Sequence, residues 1–596
     1  MGVMVVEEIE RKFLVTGEGW RQTQGITYHQ GYLNTDKMRT VRVRTVGEKG
    51  YISIKGESVG IRRPEFEYEI PIEDARQILV ELCERPIIHK TRYNIEHKGV
   101  TWEIDEFADE NQGLIMVEVE LPDVEYALVK PDWVGAEVTD DPRYFNSNLV
   151  KHPYGQWQEI EKEMASRKKS AYTDMLNALQ KETYQYFIQE VNPNNGLTAD
   201  KSGGNCPASI AATGFALTTY PVVVEDGLIS RQEAAERTLT TLRFFWNCPQ
   251  SQAPDASGYK GFYYHFLDME SGRRFGHCEL STVDTTLLVA GMLFAAQYFD
   301  NDTAVESEIR DLADKLYCRI DWQWALDGGI LVKHAWMPEK GFLSYEWEGY
   351  DESILLYALG LGSPTYPLDP ASYLATVAKY SWKKIYGYEY VYAGPLFIHQ
   401  YPHIWIDFRG IQDDYMRQKG IDYFENSRRA TYVQQEYAIR NPLEFEGYGQ
   451  YYWGLTASDG PGPHTMEVDE IERLFFNYIA RGVPYGPDDG TVAPWAVVAS
   501  LPFAPEIVLP TIARLNDLEL QAANPYGYKA TINQTFPERN DKYGWVSPYH
   551  YGINQGPIVL MIENYQTELI WRLMKQCPYL VNGLRCAGFK GSWLDA

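Results

Sequence analysis

The sequence predicts a two-domain protein: a mainly β domain over residues 1–155, a helical linker over 156–181, and a large all-α domain over 182–596. Three observations carry this. At 596 residues the chain exceeds the size at which one hydrophobic core stops growing. Residues 1–150 are short stretches alternating polar and apolar at period two, whereas residues beyond 182 are long amphipathic segments separated by Gly, Pro and aromatic-rich loops.

Taken in order, EEIERKF (7–13) opens the β domain, and as a strand it sets Glu8, Glu10 and Lys12 on one face. VRVRT (41–45), YISIKG (51–56), EFEYEIP (65–71), TWEIDEF (101–107) and MVEVELP (116–122) follow, bounded by the turn signals GEKG, KGES and ENQG. EDARQILVELCER (73–85) reads as one amphipathic helix, and 156–181 as a polar linker helix. Further on, 229–247 has Ser230 as N-cap with Glu233 three residues later; other helices are expected at 281–299, 304–320, 351–362 and 558–575. About a dozen helices fit the remaining length, a pattern that suits a toroid of paired helices.

The net charge is −27, with 19 basic and 28 acidic residues in 1–155 and 36 and 54 in the rest. Neither part carries the overall basic field of a nucleic-acid binder. The seven cysteines (83, 206, 248, 278, 318, 577, 586) lack any C-x-x-C pair and read as reduced thiols. No basic n-region with an apolar run opens the sequence and no window approaches a membrane span, so a cytoplasmic location is expected.

The same-face charges of the β domain are Glu8/Glu10/Lys12, Arg42/Arg44, Lys55, Arg63/Glu65/Glu67/Glu69, Lys90/Arg92, Glu103/Asp105 and Glu118/Glu120. Acids clustered on several strands repel one another on a plain surface. A closed barrel with a charged lumen gives them a use, acids for a divalent cation and bases for a polyanion. The alternative is a sheet with charges outward and Ile9, Val43, Ile54, Phe66 and Ile104 inward, because periodicity does not say which face is buried.

E-x-E-x-K at Glu8, Glu10 and Lys12, followed by RVRT, YISIKG, RPEFEYEIP, HKTRY, WEIDEF, GLIMVEVEL and YFNSNL, resembles the CYTH domain, or triphosphate tunnel metalloenzyme fold, over essentially all of 1–150. The resemblance implies an eight-stranded antiparallel β tunnel. In it Lys12, Arg42, Arg44, Lys55, Arg63, Lys90 and Arg92 would hold a triphosphate chain. Glu8, Glu10, Glu65, Glu67, Asp105, Glu118 and Glu120 would hold Mg²⁺ or Mn²⁺ and orient an attacking water. Inorganic tripolyphosphate is the expected substrate, with thiamine triphosphate and nucleoside triphosphates as alternatives.

The helical region sets acids beside aromatics, the requirement of glycoside hydrolysis. The runs SIAATGFALTTYPV, GYKGFYYHFLDMESG, CELSTVDTTLLVAG, GPLFIHQYPHIWIDFRGI, FENSRRAT, YWGLTASDGP and NQGPIVLMIENY resemble the bacterial glucoamylase-like domain, similar to endo-β-1,2-glucanases and the transglycosylase domain of cyclic β-1,2-glucan synthases. An (α/α)6 toroid and a β-glucan substrate are thereby implied, with no cofactor expected. The candidate catalytic acids are Glu279 and Glu352 with Asp284 in support; Asp268, His399, His403, Trp405, Asp407, Arg428 and Trp453 are candidates for gripping hydroxyls or stacking on sugar faces. In GINQGP this chain has Asn554 where relatives are expected to carry an acid. Asn is no general base, so hydrolysis, transglycosylation and glycan binding without turnover all stay open, the last with a tunnel that senses polyphosphate or nucleotide.

Overall fold

Alternation leaves most strands of the first 155 residues with one charged and one apolar face, and the structure closes the charged faces on one another. The computed structural model describes residues 7–35, 39–56, 62–123, 126, 128–517, 525–537 and 544–595, without the side chains of 7, 8, 62–64 and 158–166. It divides into two units, 1–171 and 172–596.

In the first unit β1 (Glu7–Val15), β2 (Ile26–Asn34), β3 (Arg39–Val46), β4 (Lys49–Gly56), β5 (Arg62–Ile70), β6 (Ile88–His97), β7 (Val100–Phe107) and β8 (Ile115–Glu120) pair antiparallel in the order β5-β4-β3-β2-β6-β7-β8-β1. The pairing Ile9↔Arg62 between β1 and β5 closes the sheet. A ninth strand, β9 (Val134–Glu137), pairs with the second half of β1, an addition to the eight expected. The β6–β7 hairpin turns on Lys98 and Gly99, both at positive φ, the geometry that matches strand twist in a two-residue loop.

The apolar face points out of the ring and is buried there. Phe13, Trp102, Ile104, Val117 and Val119 form one cluster with Trp20; Val43 packs beneath Ala75 and Leu79 of α1 (Ile72–Glu81). Ile54 and Phe66 lie on the same outer face but are 43% and 39% exposed, so the inward-facing alternative fails for them. The helices α2 (Asn146–Lys151) and α3 (Trp157–Gln189) follow, α3 running eight residues past the expected linker end.

The second unit holds α4 (Ile210–Glu225), α5 (Arg231–Asn247), α6 (Thr282–Tyr298), α7 (Ala304–Cys318), α8 (Ile354–Gly362), α9 (Pro370–Val377), α10 (Tyr401–Trp405), α11 (Asp414–Lys419), α12 (Tyr423–Arg440), α13 (Pro494–Ala499), α14 (Pro505–Asp517), α15 (Gly552–Gln566), α16 (Leu569–Met574) and α17 (Pro578–Cys586). Ser230 caps α5 as expected, accepting from Glu233 N at 3.1 Å. The helix expected at 558–575 is two, α15 and α16, because Glu568 between them adopts a left-handed conformation. Every residue of α8 and nearly all of α4, α6 and α15 are buried, so these helices are enclosed on every side. By contrast α5 and α7 pack against each other and keep a polar face in water.

The inner pair α4 and α6 crosses at Gly214 and Gly291, where a Cβ on Gly291 would lie 2.2 Å from the Gly214 carbonyl oxygen. Gly291→Ala must push the two helices apart, at a cost of about 1–3 kcal/mol for overpacking. Thermal unfolding of the helical unit followed by calorimetry should show its midpoint lowered by about 1–3 °C, and an unchanged midpoint would count against this crossing.

Candidate active sites

The closed sheet encloses a cavity of about 750 Å³. Charged side chains from seven of its strands line it: Lys12, Arg42, Arg44, Lys55, Lys90 and Arg92 beside Glu10, Glu65, Glu67, Glu103, Glu118 and Glu120. Strand register sets the neighbours. Lys12 faces Glu118 and Glu10 faces Glu120 across β1 and β8.

The cations and acids alternate. Lys12 donates to Glu10 and Glu118. Arg92 grips Asp105 with Nε and Nη2 at 2.7 and 2.6 Å and reaches Glu118 at 2.8 Å. Lys90 also donates to Asp105, which is fully buried. Arg44 bonds Glu67 at 2.8 Å, Lys55 pairs with Glu65 at 2.7 Å, and Arg42 lies within 3.5 Å of both acids. Burial opposes the charge on Glu118, yet Lys12 and Arg92 hold its carboxyl well below the usual range. Burial wins at Lys90, whose ammonium is brought down to about 8 despite Asp105.

Of the acids expected to hold metal, Glu10, Glu65, Glu67, Glu118 and Glu120 line the cavity. Asp105 does not: it lies beneath Lys90 and Arg92 as their shared counter-ion, whereas Glu103, absent from the expected set, lines the wall. The side chains of Glu8 and Arg63 fall outside the described residues. Among the described residues no three Asp, Glu, His or Cys side chains converge as a ligand set. The donors present are nevertheless all carboxylate oxygens, the chemistry a hard divalent cation takes, and Glu10 opposite Glu120 is a like-charge pair that such a cation would relieve.

The second site gathers around the start of α8. Burial, then the charges of Asp351 and Asp284, push the Glu352 carboxyl up to about 8; burial takes Asp351 to about 6. Asp284 stands in the first turn of α6, its carboxylate accepting from Ser281 Oγ at 2.5 Å. Glu279 is brought in by strand pairing, since Tyr264 lies opposite Leu280 and His265 N donates to the Glu279 carbonyl at 2.9 Å. Its carboxylate bonds His265 Nδ1 at 2.8 Å, which lowers its pKa. The three expected acids thus converge, but Asp284 is the one whose charge acts on Glu352.

Several members went unread in the sequence. Asp200 is raised to about 6 by burial, against the charges of His265 and Lys201. Asp459 accepts from Ser547 Oγ at 2.6 Å and Thr531 Oγ1 at 2.9 Å. Tyr478 is 59% exposed, while its hydroxyl is enclosed among Glu352, Asp200, Asp284 and Asp459. Arg481, fully buried, ties this segment down: it pairs with Asp489 and donates to the carbonyls of Ser458, Asp459, Phe476 and Asn477. His265 and Asp459 sit inside the motif runs quoted above, yet no spacing rule distinguishes them from their neighbours.

The expected sugar contacts divide differently. Trp405 and Trp453 are fully buried and donate to Thr218 and Thr511, leaving no ring face for a sugar. His403 bonds Ser427 at 2.9 Å between Phe408 and Phe503, and burial lowers it to about 3. His399, lowered to about 4, bonds the Ala393 carbonyl. Asp407 is a buried counter-ion of Arg409 and Lys575, Asp268 closes a turn onto Ser271, and Arg428 pairs with Glu506 at 2.8 Å. For the buried Trp405, Trp453, His399, His403 and Asp407 these are structural roles, whereas Asp268 and Arg428 are partly exposed. Asn554 is buried in the first turn of α15.

Residues 7–152 match the CYTH domain model and residues 344–578 the model described as "Putative glucoamylase". An inorganic triphosphatase of Acetivibrio thermocellus is 53% identical over 154 residues, 26% of this chain and 99% of that protein. An exo beta-1,2-glucooligosaccharide sophorohydrolase of Parabacteroides distasonis is 28% identical over 447 residues, 69% of this chain and 57% of that protein. Two solved structures each cover 71% of this chain and 99% of their own. One, from Bacteroides uniformis, has TM-score 0.63 and 30% identity and carries the same glucoamylase description. The other, an endo-beta-1,2-glucanase of Chitinophaga pinensis with sophorotriose and glucose, has TM-score 0.60 and 26% identity. The charged tunnel and the acidic cluster therefore sit in a chain that belongs to the CYTH family through its first unit and to the glucoamylase-like family through its second.

Proposed function

We propose that the protein is a two-activity enzyme, a metal-dependent inorganic triphosphatase over 1–155 joined through 156–181 to a β-1,2-glucan hydrolase over 182–596, with the helices in an (α/α)6 toroid and a cytoplasmic setting. The observation that carries the glucanase reading is the enclosure of Glu352 beside Asp351 and Asp284, where burial and the two neighbouring charges raise its carboxyl to about 8. Glu352 donates its proton to the glycosidic oxygen, and Asp284 acts on the opposite side. Glu279 acts through His265. Tyr478, exposed beside the acids, supplies a ring for the sugar. Glucan relatives of both exo and endo type match the unit, and the product size distinguishes them.

In the tunnel, Lys12, Arg42, Arg44, Lys55, Lys90 and Arg92 bind and neutralise the phosphate chain. Mg²⁺ or Mn²⁺, held by Glu10, Glu118 and Glu120, would supply charge neutralisation on phosphate oxygens and a water of lowered pKa. The buried Asp105 keeps Lys90 and Arg92 extended toward the cavity.

Incubated with linear β-1,2-glucan, the full chain should release short oligosaccharides, and Glu352→Gln should lower kcat/KM by about 10²–10⁴, the usual worth of a general acid. Because Glu352 must be protonated to act, the wild-type rate should fall as pH rises through about 8, and that limb should vanish in the variant. Binding without turnover on every β-glucan tried would favour a glycan-binding role and point to Asn554. Chelation of divalent metal should abolish tripolyphosphate cleavage, read as phosphate release, while leaving glucan cleavage intact. Arg92→Ala frees Asp105 and Glu118 of their shared cation and should cut tripolyphosphate turnover by at least about 10²-fold.

A further inference from the structure

Resting on the glucanase reading of the acidic cluster, we infer that Glu279 and His265 form a positioning dyad that presents a charged imidazole to Asp284. The geometry is a line of three groups. Glu279 Oε1 accepts from His265 Nδ1 at 2.8 Å, and His265 Nε2 lies 3.8 Å from Asp284 Oδ2 on the far side of the ring. The ring cannot swing freely, because it stacks on Phe266 at 4.0 Å between centroids and 13° between planes. Its backbone is pinned too: His265 N donates to the Glu279 carbonyl, and Ile210 N donates to the His265 carbonyl.

The ring faces acids from every element packed against it. They are Glu279 just before the short strand that leads into α6, Asp284 on α6, and Asp200 on the loop before α4. Arg274 stands behind Glu279 and Lys201 beside Asp200, each acting on its own acid. Burial disfavours the imidazolium, but these three acids outweigh it and raise His265 to about 9. A fixed positive charge then offsets part of the negative charge at Asp284, and Asp284 is itself one of the two acids that raise Glu352. Glu279 fixes which nitrogen points at Asp284 and touches neither Asp284 nor Glu352. The arrangement gives one acid a cation and leaves another, among the described residues, enclosed without one, as acid and base roles require.

His265→Asn tests it, since the amide keeps a donor toward Glu279 but loses both the charge and Nε2. Two readouts on the full chain decide. With ¹³C-labelled histidines, the His265 resonance should titrate well above the ordinary 6.5 and move down in Glu279→Gln; titration at or below 6.5 in the wild type overturns the dyad. In the pH profile of kcat/KM on linear β-1,2-glucan, His265→Asn should lose at least about tenfold near pH 6 and show its acidic limb displaced upward by about one pH unit. A uniform loss with the limb in place overturns the positioning role and leaves His265 merely structural. Should the wild type cleave no β-glucan, the glucanase reading falls, and the histidine titration still decides whether the imidazolium is held.

Discussion

A charge taken out of water must be met by an opposite charge or a set of hydrogen bonds, and both units of this protein are organised around that requirement. In the tunnel the deepest instance is Asp105, fully buried beneath Lys90 and Arg92. Without it two neighbouring cations would face each other in a low-dielectric wall. With it, the cations are extended, paired at their base and turned toward the cavity. The ring closure between β1 and β5 makes this possible, because it brings charges from strands far apart in sequence to one lumen.

The same requirement is met incompletely in the helical unit, and there it produces chemistry. Glu352 is enclosed beside Asp351 and Asp284, and burial with those two charges raises its carboxyl to about 8. Glu279, a short way off, has His265 and stays ionised. One imidazole therefore faces three carboxyls, Glu279, Asp284 and Asp200. Arg481 and Asp489 satisfy each other fully, and their role is correspondingly structural: they anchor the backbone on which Asp459 and Tyr478 stand.

The misplaced sugar contacts teach the converse. Trp405, Trp453, His399 and His403 have residue types common at glycan sites, but each is buried and bonds within the fold through its indole N–H or its imidazole Nε2. A tryptophan in a large all-α core is used for its volume before it is used for its face. The exposed ring beside the acids is Tyr478, on an irregular stretch after a hairpin that no periodicity would single out.

The sequence by itself determined the two-domain plan, the strand and helix texture of each domain, and the alternation that puts Glu10 with Lys12 and Glu118 with Glu120 on shared faces. These follow from backbone periods of 2.0 and 3.6, which are local. Tertiary structure alone decided that the charged face turns inward, that Asp105 is a counter-ion rather than a cavity wall, and that a ninth strand joins the sheet. It also decided that Asp284, rather than Glu279, faces Glu352, and that His265, quoted within a motif but not singled out, links Glu279 to Asp284. Electrostatic roles depend on distances between residues dozens to hundreds of positions apart and on how much water reaches them, and neither is written in the spacing of one segment.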